Sequence, residues 1–252
     1  MSFIRTLLVV ISVVALSANA DAASGTGPVH SVVLVHGAFA DGSGWRPITD
    51  ILRKDGYAVS IVQEPETSIA DDVAATTRIL DRQSGPAVLV GHSYGGAVIT
   101  EAGNNPHVAS LVYVAAFAPD AGNKLGALAM SIPSAAKSIA PTADGYLLID
   151  QAKFAADFAP DLPVAEAHFM AISQVPLNAS TFGTPITAPA WKTKPSYGIV
   201  ATEDRMINPD LERSMYRHAG AKVTEVKGSH VIFISHARAV ADVIEQAARN
   251  TK

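Results

Sequence analysis

Short apolar runs alternate with amphipathic segments along the first half of the chain, and that alternation lays out its elements. Residues 30–35, 57–62, 87–90 and 109–115 are apolar runs of strand length. Runs without polar alternation belong to strands covered on both faces. Between them, residues 45–54 place Trp45, Ile48, Ile51 and Leu52 at helical spacing, and Gly56 stops the segment. A second helix is predicted over residues 69–82, where Thr67 or Ser68 stands just before the first turn and Asp71 and Asp72 lie inside it. Helix is predicted again from Ala97 onward. Strands and helices alternating in this way predict a mostly parallel sheet with helices on both faces.

The rhythm lapses over residues 119–195, which show no convincing strand but carry Ala/Leu/Phe-rich helical pieces at 154–158 and 164–172, separated by prolines. That segment is expected to be a helical cap, inserted after the strand ending near Ala115. A peripheral helical appendage is the alternative. Alternation then resumes with a strand at 196–201, a helix at 210–218, a strand at 222–226 and a last helix from about 236 to 248. Residues 29–252 are therefore expected to form one α/β domain with 119–195 as its cap.

The first residues follow another logic. Arg5 precedes an apolar run, residues 6–16, and Ser17, Ala18, Asn19 and Ala20 supply the small residues of a signal-peptidase site. Residues 1–20 thus read as a signal peptide and 21–28 as a flexible leader, so the mature protein is expected to be periplasmic or secreted. The apolar run falls short of the roughly 20 residues a spanning helix needs, and no stable membrane insertion is expected after cleavage.

Charge and composition narrow the function classes. The formal net charge of −4 becomes more negative once Arg5 is removed, and no cluster of Lys or Arg appears. Nucleic acid, whose phosphates must be neutralised, is not an expected partner. The absence of cysteine removes disulfides, thiolate metal sites and a cysteine nucleophile. The histidines show no metal-ligand spacing, so no metal is expected, and neither is an organic cofactor.

The chemistry converges on Gly91-His92-Ser93-Tyr94-Gly95. A Gly-x-Ser-x-Gly run between a buried strand and a helix is the pattern of a nucleophile elbow, a sharp turn that leaves the serine hydroxyl exposed. A serine hydroxyl needs a base, and the base needs an orienting acid. Among the eight histidines, His230 follows the last strand directly. His36 lies ahead of the serine and reads as a residue orienting its own loop, and His92 reads as buried structure. For the acid, Asp204 follows the strand at 196–201; its neighbour Glu203, and Asp120 after the earlier strand, are the alternatives. Two backbone amides are expected to stabilise an oxyanion: Tyr94, after the nucleophile, and Ala38 in the loop after the first strand, with Phe39 as runner-up. Phe39, Phe154, Phe158, His168, Phe169, Met170 and Val231 are candidate pocket residues.

The runs His36-Gly37-Ala38-Phe39, Gly42-Ser43-Gly44-Trp45, Gly91 to Gly96, the Asp204 loop and Gly228-Ser229-His230 resemble the α/β-hydrolase superfamily, in particular its short-cap branch of plant methyl-ester esterases and hydroxynitrile lyases. The resemblance spans about residues 29–248. It implies an α/β-hydrolase fold, a mostly parallel central sheet flanked by helices with a helical cap, and a small-molecule ester as substrate. Lyases of that branch carry a threonine where this chain has Gly37 and a lysine where it has Val231. These departures favour serine ester hydrolysis, with lyase-like or lactonase activity at the same site as the alternative, and the cap residues Phe154, Phe158, Phe169, Met170 and Ile172 suggest an apolar pocket for small or medium apolar or aryl esters. A non-catalytic ligand-binding protein that keeps the fold is the remaining alternative. Oligomeric state is left open.

Overall fold

The computed structural model describes residues 29–250; the predicted signal peptide and leader lie outside them. In chain order the elements are β1 (Ser31–Val35), α1 (Arg46–Lys54), β2 (Ala58–Ile61), α2 (Ile69–Leu80), β3 (Ala87–His92), α3 (Gly95–Ala102) and β4 (Val108–Val114). They continue with α4 (Leu125–Ser131), β5 (Ile139–Pro141), β6 (Tyr146–Ile149), α5 (Gln151–Asp157), α6 (Val164–Ile172) and β7 (Leu177–Asn178). The chain closes with β8 (Ser196–Ala201), α7 (Pro209–His218), β9 (Lys222–Val226), α8 (Ile232–Ser235) and α9 (Ala237–Arg249).

Six strands form one all-parallel sheet in the order β2-β1-β3-β4-β8-β9. β3 sits at its centre and every residue of it is buried, as are all six of β8, which is why these strands carry unbroken apolar runs. Helix boundaries follow local chemistry. Ser68 caps α2 by accepting a hydrogen bond from the Asp71 N–H, and Asp150 caps α5 through the Ala152 N–H, so α5 begins before the predicted Phe154.

The cap is where expectation and structure part. Besides α4, α5 and α6 it holds a three-stranded antiparallel sheet, β5-β6-β7. These strands are two to four residues long and β5 is exposed and contains Pro141, so neither an apolar run nor an alternation marks them. The available signal was the turn: Asp144-Gly145, with Gly145 at φ +87°, joins β5 to β6.

Candidate active site

A parallel sheet delivers ligand-binding residues at the carboxyl ends of its strands. The loops after β1, β3, β8 and β9 therefore meet at one edge. Ser93 follows β3 and takes φ +53°, a left-handed backbone conformation rare outside glycine. The turn is held by the Ser93 N–H donating to Val114 O at 3.3 Å and by Ser93 O accepting from the N–H groups of Gly96 and Phe117 at 3.0 and 3.1 Å. The β1 loop crosses so close that a Cβ on Gly95 would collide with the His36 carbonyl oxygen, and one on Gly37 would lie 2.7 Å from Ser93 Cβ.

The structure brings Ser93, His230 and Asp204 together. The Ser93 hydroxyl lies 2.8 Å from His230 Nε2, and His230 Nδ1 lies 2.6 Å from Asp204 Oδ2. The partners assign the tautomer: Nδ1–H donates to the carboxylate and Nε2 accepts from the hydroxyl. Asp204 Oδ1 accepts the N–H groups of Met206 and Ile207 at 2.6 and 3.0 Å, so the buried carboxylate has both oxygens engaged. Behind it, buried Glu212 accepts from the Ala201 N–H at 3.2 Å. Burial, and the Asp204 charge beside it, push the Glu212 carboxyl well above the carboxylate range. The two rival acids lie elsewhere. Glu203 faces Lys227 at 3.6 Å on the surface, and Asp120 pairs with Lys192 at 2.6 Å and His218 at 2.9 Å.

The other histidines near the elbow have structural partners. His92 Nε2–H donates to the His230 carbonyl at 2.9 Å, its ring 4.4 Å from that of Phe233 and 4.6 Å from that of His230. Its burial lowers its pKa well below the ordinary histidine value. His36 Nε2 accepts the Glu64 N–H at 3.0 Å, which leaves the proton on Nδ1, 3.0 Å from Gly37 O. A ring that accepts at Nε2 is neutral, in keeping with the lowering of its pKa by burial.

Around Ser93 the structure forms a cavity of about 90 Å³ lined by Ala38, Phe39, Tyr94, Phe117, Phe158 and Met206 among others. Among the described residues, the N–H groups of Ala38 and Tyr94 have no protein acceptor, whereas that of Phe39 donates to Glu66 Oε2 at 3.4 Å. Of the predicted pocket residues, Phe39 and Phe158 line this cavity. Phe154 packs behind, its ring 4.7 Å from Phe158, and Val231 is buried. His168, Phe169 and Met170 do not reach it, because α6 turns Ala167 and Ala171 inward and its aromatic face outward. Phe169 and Met170 instead border a separate outer cavity of about 220 Å³ that shares the Phe39 wall.

Of three buried acids on the loop after β2 and in α2, Glu64 and Glu66 were not singled out from sequence, and Asp72 was read only as a first-turn residue of the capped helix. Its burial was open to the sequence: it falls on the stripe Ile69, Asp72, Thr76 that faces the core.

Comparison with known proteins agrees with this architecture. A family model described as the alpha/beta hydrolase family matches residues 32–243. A carbendazim hydrolyzing esterase from Nocardioides sp. (strain SG-4G) is 38% identical over 111 residues, covering 38% of this chain and 46% of that protein. The match thus spans about half the length of that curated relative. Among solved structures, a pyrethroid hydrolase from Sphingobium faniae JZ-2 superposes with TM-score 0.76 at 23% identity, over 88% of this chain and 98% of its own. Polyneuridine aldehyde esterase superposes with TM-score 0.73 at 17% identity, over 86% and 98%. At such identities these structures speak for the fold.

Proposed function

Because the chain belongs to the α/β-hydrolase family, we propose that it is a serine carboxylic-ester hydrolase with Ser93 as nucleophile, His230 as general base and acid, and Asp204 as the orienting carboxylate. The observation that carries this reading is the continuous hydrogen-bonded path from Ser93 Oγ through His230 to Asp204, at 2.8 and 2.6 Å. Ser93 Oγ attacks the ester carbonyl carbon while its proton passes to His230 Nε2. The resulting imidazolium is stabilised by ionised Asp204. The N–H groups of Tyr94 and Ala38, free of protein acceptors, are the donors for the oxyanion. Collapse of the tetrahedral adduct breaks the bond to the alkoxy oxygen, which takes the proton from His230 and leaves as alcohol. Water, deprotonated by the same Nε2, then releases the acid and restores Ser93.

The small apolar cavity supports a compact acyl group, with the remainder of an apolar or aryl ester extending past Phe39 and Phe158. The esterase name of the relative in Nocardioides agrees with this class. Gly37 and Val231 offer no side chain that could handle a cyanohydrin, which favours hydrolysis over lyase chemistry. A fluorophosphonate should add once, at Ser93, by peptide mass. Ser93→Ala should lose 4-nitrophenyl ester hydrolysis by at least about 10⁴-fold. Full activity in that variant, or turnover of mandelonitrile or a lactone well above that of every ester tried, would refute the reading. The N-terminal segment supports export, which fractionation of the expressing cell would test.

A further inference from the structure

The ester mechanism makes no use of the acids behind the oxyanion loop, and their hydrogen bonds give them unequal roles. Asp72 has both oxygens filled, Oδ1 by the Glu66 N–H at 2.8 Å and Oδ2 by the Tyr94 hydroxyl at 2.6 Å. Burial raises the Asp72 carboxyl, and these two hydrogen bonds oppose the rise. Glu66 is different. Its Oε2 takes the Phe39 N–H at 3.4 Å, while Oε1 is buried without a hydrogen-bond partner, 3.5 Å from His36 Nδ1. That Nδ1–H already faces Gly37 O, and neutral His36 supplies no cation. Both residues joined by this bond are strained: Phe39 sits at φ +64° and Glu66 at φ +55°. The Glu66 carbonyl also accepts the N–H of Asn178, in the cap strand β7, at 2.9 Å.

We infer that Glu66 is a positioning residue for the oxyanion hole: its carboxyl group holds the Phe39 N–H away from the cavity, leaving the Ala38 N–H as the donor that faces Ser93, and its backbone ties this loop to the cap. The inference rests on the ester-hydrolase reading of Ser93. A backbone donor works only if its loop is fixed before charge develops. At Phe39 a strained φ is sustained by an acceptor that sits 27 residues away in sequence.

The same geometry gives the hole a pH limit. The groups facing Glu66 are His36, Glu64, Asp72 and Tyr94, with Asp41 acting through His36. None of these is a cation. Burial, opposed by the Phe39 N–H and assisted by Asp72, pushes the Glu66 carboxyl up to about 9. Glu64 is raised too, by burial, Asp72 and Glu66. Glu66 is therefore neutral at pH 7 and ionises in mild alkali, placing negative charge behind the loop that must stabilise an oxyanion.

Glu66→Leu removes the acceptor while filling its space, and Glu66→Gln keeps an acceptor that never ionises. Hydrolysis of 4-nitrophenyl acetate is measured from pH 6.5 to 10.5, with Ser93→Ala as the blank. At pH 7.5 the Leu variant should lose at least about tenfold in kcat with KM within about threefold, and the Gln variant should recover to within about threefold of the parent. The parent should lose rate as pH rises through about 9, and the Gln variant should not. A Leu variant with the parent's kcat, or a Gln variant with the parent's alkaline decline, overturns the inference. If the Leu variant does not fold, the alkaline limb of the Gln variant decides alone. Should the parent hydrolyse no ester, the ester reading has failed, and the rate of Ser93 phosphonylation by intact mass, in the same variants over the same pH range, judges Glu66 separately.

Discussion

Asp204 owes its place to three groups rather than to its charge alone: it accepts from His230, Met206 and Ile207. Replacing the acceptor by a donor reverses the tautomer. In Asp204→Asn the amide faces Nδ1 with N–H, the ring proton moves to Nε2, and Nε2 no longer accepts the Ser93 proton. A fall of about 10⁴-fold in kcat is expected, with KM little changed. Glu203→Gln and Asp120→Asn, whose carboxylates pair with Lys227 and with Lys192 and His218, should stay within about twofold of the parent. A large loss in either would point to the wrong acid. At this scale Ser93 and His230 were legible because the elbow pattern and the position after a strand are local signals. Glu64 and Glu66 were hidden, because only the packed loop reveals which acids turn inward, whereas the core-facing stripe of α2 separates buried Asp72 from exposed Asp71, which helps cap the helix.

The inner strands β1, β3, β4 and β8 were readable because burial on both faces demands apolar runs, and α6 and the largely exposed edge strand β9 also fall where they were placed, β9 by its position between two helices. The cap strands were not, since two to four partly exposed residues leave no period to read. One cap contact matters for the site. Asp161, between α5 and α6, accepts from Ser229 N–H at 2.9 Å and Oγ at 2.5 Å and from Ser235 Oγ at 2.9 Å. It thus latches the loop that carries His230 to the cap. Asp161→Ala should loosen that loop and lower kcat by about three- to tenfold, the scale of one to two hydrogen bonds, while the melting temperature moves little. An unchanged kcat would show that the loop is held by β9 and α8 alone.

Across the whole molecule, the buried ionisable groups set how stability answers to pH. Glu64, Glu66, Asp72 and Glu212 all have raised values in the folded state. Between the ordinary carboxylate range and those raised values the folded chain holds protons that the unfolded chain has released, so stability falls as pH rises. Buried His36 and His92 act in the other direction, because their values are lowered. Below about pH 6.5 the unfolded chain takes up protons that these rings refuse, and stability falls as pH drops. The carboxylates with lowered values, such as Asp71 and Asp161, matter only in stronger acid. From pH 6.5 to 9 the raised carboxyls therefore act unopposed by these histidines. The thermal midpoint should fall by at least about 3 °C over that interval, corresponding to a loss of roughly 1 kcal/mol or more in a domain of this size. Glu66→Gln, which cannot ionise, should flatten the decline. A midpoint that rises toward pH 9, or a Gln variant with the parent's slope, would mean that Glu66 is already charged at neutral pH in the folded protein.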